Sequence, residues 1–320
     1  MHRTRWFRSL IVVVILAGSA AVAVAMSNRL LTDQAAVPFT APPPSASTWE
    51  QVFARPAVIE HEAVLSARWM VELSGMLDLD HPEARAAGLD DHDIPIVLPV
   101  HVLRHPERGT FIIDTGVPAE LVTRGLISYL VDSVEVVEPI ESIVARQPQP
   151  LAGVLLTHFH LDHVLGLPGL PLDTPVFTGP GELEIESIMH LLLRSTYDEL
   201  LAGRAPIRAW RTEDAHPMGP IERAIDVFGD GSLWALHMPG HTTGSMAFLA
   251  HTTSGPLLFT GDTSHTIWGW EHGVTPGSFT ADHEANAHSL DQLRRLVSEY
   301  PQIKVYTGHE LDGDGTGVDG

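Results

Sequence analysis

The sequence predicts an α/β fold, and two observations carry that prediction. Short apolar runs of strand character alternate with longer runs whose apolar residues recur at helical spacing, and no internal repeat is detectable. The 320 residues are 44% hydrophobic, which is ample for a real core. Charge then narrows the function. The 19 Lys and Arg face 40 Asp and Glu, a formal net charge of -21, and that field repels phosphate backbones and anionic headgroups. No nucleic-acid partner is expected. With no cysteine in the chain, disulfides and thiolate ligands are excluded, and any metal must be held by His, Asp or Glu. The 19 histidines are the ligand pool.

The N-terminus reads as a targeting segment. Arg3, Arg5 and Arg8 precede an apolar run over residues 10–26 that ends in small-residue A-x-A patterns at Ala23 and Ala25. A cleaved signal peptide is preferred over a retained anchor, because the run is slightly short for a span of about 20 residues. Export to the periplasm or the medium is the expectation, with membrane contact only through residues 10–26. Residues 27–48, with AAVPFTAPPPSAS, read as an extended Pro/Ser linker. The folded domain is expected over residues 49–311. The closing DGDGTGVDG lacks the terminal Glu of a calcium loop, so residues 312–320 are expected to be a disordered Asp/Gly tail.

Inside the domain, residues 94–103, a turn at 105–109 and residues 110–113 predict a hairpin ending at Asp114-Thr115-Gly116. A helix is expected over 118–131. A buried strand at 154–156 runs directly into THFHLDH, residues 157–163, so its ligands sit at a strand's carboxyl end, where α/β sheets build their sites. Further strands are expected at 175–177, 207–210, 232–237, 246–250, 256–260 and 303–306. Helices are expected at 182–201 and 281–300, the second with Leu290, Leu293, Val297 and Tyr300 on one face.

The THFHLDH stretch alone places His158, His160, Asp162 and His163 within seven residues. Three other strands end in Gly followed by a ligand-grade side chain: PGH at His241, TGD at Asp262 and TGH at His309. A lone histidine is more often a packing residue than a ligand, and the conjunction overturns that reading here. HxHxDH, PGH, GD, GH and the preceding DTG at Asp114 occur in an order that resembles the metallo-β-lactamase superfamily, over residues 94–309. The resemblance implies an αββα sandwich with a two-metal site at the edge of the β-sandwich. It implies that His158, His160 and His241 hold one ion, that Asp162, His163 and His309 hold the second, and that Asp262 bridges them. Asp114 would either orient ligands or simply cap the turn that ends its strand.

Two divalent cations about 3.5 to 4 Å apart acidify a shared water and stabilise an attacked and a departing oxygen, which is the chemistry of a hydrolase. Zinc suits the imidazoles best, with manganese, iron or cobalt compatible with the same set. The expected enzyme is an exported dinuclear hydrolase that opens a carboxylic ester or lactone with a metal-bridging hydroxide, Asp162 shuttling the proton. Asp262 in place of Cys or Ser demotes β-lactamase activity. Phosphodiesterase or thioesterase activity is the alternative. The sequence around the motifs is similar to N-acyl-homoserine lactonases, so an acyl-homoserine lactone is one expected substrate. Those enzymes carry Tyr three residues after the bridging Asp, where this chain has His265. His265 is expected either to donate a hydrogen bond to substrate oxygen or to sit on the rim. Trp268, Trp270 and Phe279 follow on a long connection and are candidates for an acyl-binding wall or for core packing. His237, His251, His272, His283 and His288 are expected to be packing or surface residues.

Overall fold

A computed structural model describes residues 31–32, 35–121, 127–184 and 188–311. Residues 1–26, expected to be a signal segment, and the expected tail at 312–320 lie outside them. Among the described residues no helix is long and apolar enough to cross a membrane. In chain order the strands are β1 (Val37–Phe39), β2 (Glu60–Glu72), β3 (Asp93–His105), β4 (Gly109–Ile113), β5 (Glu135–Val136), β6 (Leu151–Leu155) and β7 (Val176–Thr178). They continue with β8 (Arg208–Trp210), β9 (His216–Met218), β10 (Ile221–Asp226), β11 (Leu233–His237), β12 (Met246–Thr252), β13 (Gly255–Phe259) and β14 (Lys304–Tyr306).

These strands make two sheets. One has eight strands in the order β1-β8-β7-β6-β4-β3-β2-β5, and the other has six in the order β14-β13-β12-β11-β10-β9. Alternation of side chains along each strand builds three apolar layers. Leu155, Phe177 and Phe111 of the first sheet meet Phe248, Ala250, Ala235 and Phe259 of the second, forming the core between the sheets. The residues in between, such as Val154, Ile112 and Val100, face outward against Ile140, Ile143, Val164 and Leu200 of covering helices. On the far side, Trp234, Leu236, Ala247 and Leu249 pack on Trp49, Leu293 and Leu296. Helix, sheet, sheet and helix are thus stacked in that order, the αββα sandwich expected.

The hairpin of β3 and β4 and the helix His283–Glu299 form where expected, the latter with Asp282 capping the Ala285 amide at 3.0 Å. Three expectations need correction. The Pro/Ser segment is extended but is not a free linker: β1 pairs in parallel with β8, the Leu31 amide donates to the Leu183 carbonyl at 2.7 Å, and Ser45 binds Asp226 through its amide and hydroxyl. Residues 117–121 are not helical, because the Val117 and Ala119 amides donate instead to Ser66 Oγ and the Glu141 carboxylate. Of that expected helix, residues 122–126 lie outside the described residues and only Ile127–Leu130 is helical. The helix expected from 182 is described only as Ile188–Leu200, and Glu182 lies in a turn before it.

Candidate metal centre

Both sheets deliver their ligands to one edge. In the first, β4 and β6 are parallel neighbours with Ile113 opposite Leu155, so Asp114 and the 156–163 loop leave the sheet side by side. Asp114 adopts φ of 57°, a left-handed conformation that Asp tolerates better than most residues. Its Oδ1 accepts from the Thr157 amide at 2.8 Å, and its Oδ2 accepts from Thr157 Oγ1 at 2.9 Å and from His163 Nδ1 at 2.8 Å. The short helix Leu161–Val164 then turns Asp162 and His163 back toward the edge.

In the second sheet, His241 follows β11, Asp262 follows β13, and His309 follows β14, which runs parallel to β13. Gly308 is required there, since a β-carbon at that position would overlap Asp262 Oδ1. The Met246 amide donates to the Thr157 carbonyl at 2.7 Å and ties the two edges together.

The seven expected ligands converge. His158, His160 and His241 present nitrogens within 4.8 Å of one another, and Asp162, His163, Asp262 and His309 do the same. Asp262 Oδ2 lies 3.6, 3.3, 3.4 and 3.2 Å from the Nε2 atoms of His158, His163, His241 and His309. His241 Nε2 and His160 Nδ1 face each other at 2.9 Å. Acceptors behind the rings fix which nitrogen is free: His163 Nδ1 donates to Asp114, and His309 Nδ1 donates to the Val97 carbonyl at 3.0 Å. The buried Nε2 atoms of His158 and His163 and Oδ1 of Asp262 have no hydrogen-bond partner. An unsatisfied buried polar atom costs about 1 to 3 kcal/mol. Several of them converging with neutral-imidazole geometry fit two divalent cations, with the chemistry of the donors matching zinc, manganese, iron or cobalt.

The electrostatics separate the two halves. Burial, with neighbouring imidazoles adding to it, pushes His158 and His241 well below the usual histidine range, and burial takes His160 down to about 4. These rings are neutral and ready to bind. Burial also disfavours charge on His163 and His309, but Asp262 and Asp162 outweigh it and raise both. Burial would raise the Asp162 and Asp262 carboxyls, and the facing imidazoles hold them below the ordinary range instead.

His265 also enters the centre, 2% exposed, with Nε2 at 3.0 Å from Asp262 Oδ2. Its Nδ1 lies 3.1 Å from the Met76 carbonyl, which only accepts, so Nδ1 carries the hydrogen. In the neutral ring Nε2 then has a lone pair and no hydrogen. The rim position is excluded, and the donor role expected for a neutral His265 is corrected by this tautomer.

A cavity of about 610 Å³ opens on the cluster. Trp69, Val71, Met76, Ile96, Leu161, Leu193 and Phe279 give it apolar walls, and His160, Asp162, His241, Asp262, His265 and His309 face it. Phe279 therefore lines the chamber, while Trp268 stacks on His272 and Trp270 packs on the far core. His237, His251, His272, His283 and His288 belong to none of the metal-holding groups among the described residues. Sequence reasoning missed Glu182. Its buried carboxylate accepts from the Phe159 amide at 2.6 Å, the Gly244 amide at 2.8 Å and Thr242 Oγ1. The only signal was a Glu in a Pro-Gly turn, PGE, read as the start of a helix.

Residues 99–309 match the metallo-beta-lactamase superfamily. The chain is 29% identical over 245 residues to the N-acyl homoserine lactonase AttM of Azorhizobium caulinodans, covering 69% of this chain and 84% of the relative. It is 28% identical over 245 residues to the protein of that name from Agrobacterium fabrum, with the same coverage. Among solved structures, a quorum-quenching N-acyl homoserine lactone lactonase superposes with a TM-score of 0.60 at 20% identity, covering 81% of this chain and 95% of the other. That likeness is one of fold. A match across most of the folded part, on the sandwich whose edge gathers these ligands, makes the chain a member of the metallo-β-lactamase superfamily.

Proposed function

We propose that the protein is a metal-dependent lactone hydrolase whose substrates carry an apolar acyl chain, N-acyl homoserine lactones among them. The observation that carries this reading is the apolar chamber ending on the ligand cluster. It suits a ligand with one reactive carbonyl and a hydrocarbon tail. The similarity to AttM lactonases supports the same class. No Arg or Lys lines the chamber among the described residues, which disfavours a phosphodiester.

His158, His160 and His241 would hold one cation, and Asp162, His163 and His309 the second, with Asp262 placed between the two sets. When bound, the cations supply Lewis-acid polarisation of a carbonyl and acidify water at neutral pH. The chain's own residues do the rest. The apolar walls orient the acyl chain and exclude bulk water from the reacting end. Asp162 faces both the chamber and the His163 and His309 rings, with Oδ2 at 3.4 Å from each Nε2, so its carboxylate is placed to take up a proton. Asp114, Val97 and Thr280 hold the ligand rings from behind. Export through residues 1–26 remains part of the proposal and rests on their sequence alone.

The test is a hydrolysis panel on metal-loaded protein with acyl-homoserine lactones, aryl esters, thioesters, bis-p-nitrophenyl phosphate and a chromogenic cephalosporin. Chelator-sensitive lactone opening with the highest kcat/KM is expected. A higher kcat/KM on the phosphodiester or cephalosporin would overturn the reading.

A further inference from the structure

Two of the ligand histidines share a signature that extends to a residue outside the seven. His163 and His309 are each tied at Nδ1 by an oxygen acceptor, Asp114 and the Val97 carbonyl, and turn Nε2 toward Asp262. His265 repeats this arrangement: Nδ1 is tied to the Met76 carbonyl, and Nε2 faces Asp262 Oδ2 at 3.0 Å. The Met76 carbonyl is available because it ends the helix Leu73–Met76, where last-turn carbonyls have no partner within the helix. His265 Nε2 is buried and makes no hydrogen bond, as is true of His158 Nε2 and His163 Nε2. Two lone-pair atoms held 3.0 Å apart repel unless something positive lies between or beside them. Finally, His241, Asp262 and His265 present ligand atoms within 4.8 Å of one another, all buried, and the His241 and His265 ring centroids are 5.0 Å apart.

We infer that His265 is an eighth metal ligand, binding through Nε2 the divalent cation that His241 and Asp262 also touch. The inference rests on the two-cation reading above. It gives that ion His158, His160, His241, His265 and Asp262, a set larger than tetrahedral zinc takes in a closed site. Ions that accept five or six ligands, such as manganese, iron or cobalt, are favoured at that position. The side chain would thus bias that position toward these ions over tetrahedral zinc.

The test uses the full chain, stripped of metal and titrated with Co(II). Wild type is expected to take up two equivalents, one with the weak visible absorption of a five-coordinate ion. In His265→Ala that band should intensify as the coordination number falls, and the Kd of that ion should rise about 10-fold to 100-fold while the other stays unchanged. An unchanged band and Kd in the variant, with wild type still binding two ions, would overturn the ligand assignment and leave the two-cation reading intact. Wild type binding a single Co(II) would overturn both. Should His265→Ala not fold, wild type labelled with ¹⁵N-histidine and loaded with ¹¹³Cd decides: six imidazole nitrogens coupled to cadmium support the inference, and five, from His158, His160, His163, His241 and His309, refute it.

Discussion

The Glu182 carboxylate accepts the Phe159 amide at 2.6 Å, and Phe159 is the one residue between the ligands His158 and His160. The same carboxylate holds the Gly244 amide and the Thr242 hydroxyl of the loop that presents His241. One buried anion therefore sets the spacing of all three imidazoles in one half of the centre, as Asp114 does for His163 in the other. Glu182→Gln keeps the size but turns an amide toward donors that need an acceptor. It should weaken metal binding at the His158, His160 and His241 half by about 10-fold to 100-fold and spare the other half. A metal titration in which both ions weaken equally would contradict this division of labour.

Asp114→Asn should do the converse. Asn tolerates the left-handed backbone at this position, so the fold survives, but the bond that orients His163 changes. The ion held by His163 and His309 should loosen by about 10-fold to 100-fold. Competition with a chromogenic chelator reads both constants.

Asp262→Ala should lower turnover by orders of magnitude and leave fewer than two ions bound per chain. Its carboxylate lies within 3.4 Å of imidazoles of both sets, and without it two bound dications would lose the anion placed between them. Elemental analysis alongside kcat checks it. Full metal content with normal turnover would show that Asp262 has been given the wrong role.

Leu193, on the helix Ile188–Leu200, and Phe279, on the connection before the helix His283–Glu299, both line the chamber. Leu193→Trp should reduce the space open to the acyl tail. For long-chain lactones kcat/KM should fall by about 10-fold or more, roughly the discrimination that a few methylenes give in an apolar pocket, while a butanoyl lactone is little affected. Equal losses along an acyl-length series would place the tail elsewhere.

A fifth prediction concerns acid stability away from the metals. His61 Nε2 and His101 Nδ1 meet at 3.2 Å, packed between Phe259 and Tyr306. Burial, then Lys304, takes His61 down to about 4, and burial drives His101 well below the usual range. A folded-state value below the unfolded one means the unfolded chain binds more protons, so stability is intact at pH 7 and declines as pH falls from about 6.5 toward about 4. His61→Gln removes one titration while keeping a donor for His101. Urea midpoints at pH 7 and pH 5, taken in chelator, should therefore differ less in the variant than in wild type.

Much of the centre was legible because its ligands follow strands in patterns that survive in one dimension: His158, His160, Asp162 and His163 crowd into one short stretch after a strand, and His241, Asp262 and His309 each follow a strand and a Gly. β2 received no assignment from the sequence. Its 13 residues mix charges with apolar positions, since the strand lies between β3 and the two-residue β5 and bears a register shift between Leu65 and Ala67. Glu182 was hidden for another reason: a buried carboxylate and an exposed one look alike until the amides it serves are placed in space. The role of His265 turned on the Met76 carbonyl, 189 residues away, which no local pattern could supply.

The ligands come from both sheets, four side chains from the loop after β6 and three from the ends of β11, β13 and β14. Bound ions would consequently act as rivets through the seam of the sandwich, adding non-covalent cross-links in a protein that has no cysteine to make covalent ones. Metal supply would then govern the lifetime of the folded chain as well as its turnover. Starvation for metal should open the molecule along that seam, with amides of the β6 and β13 ends losing protection from hydrogen exchange before those of the outer helix His283–Glu299.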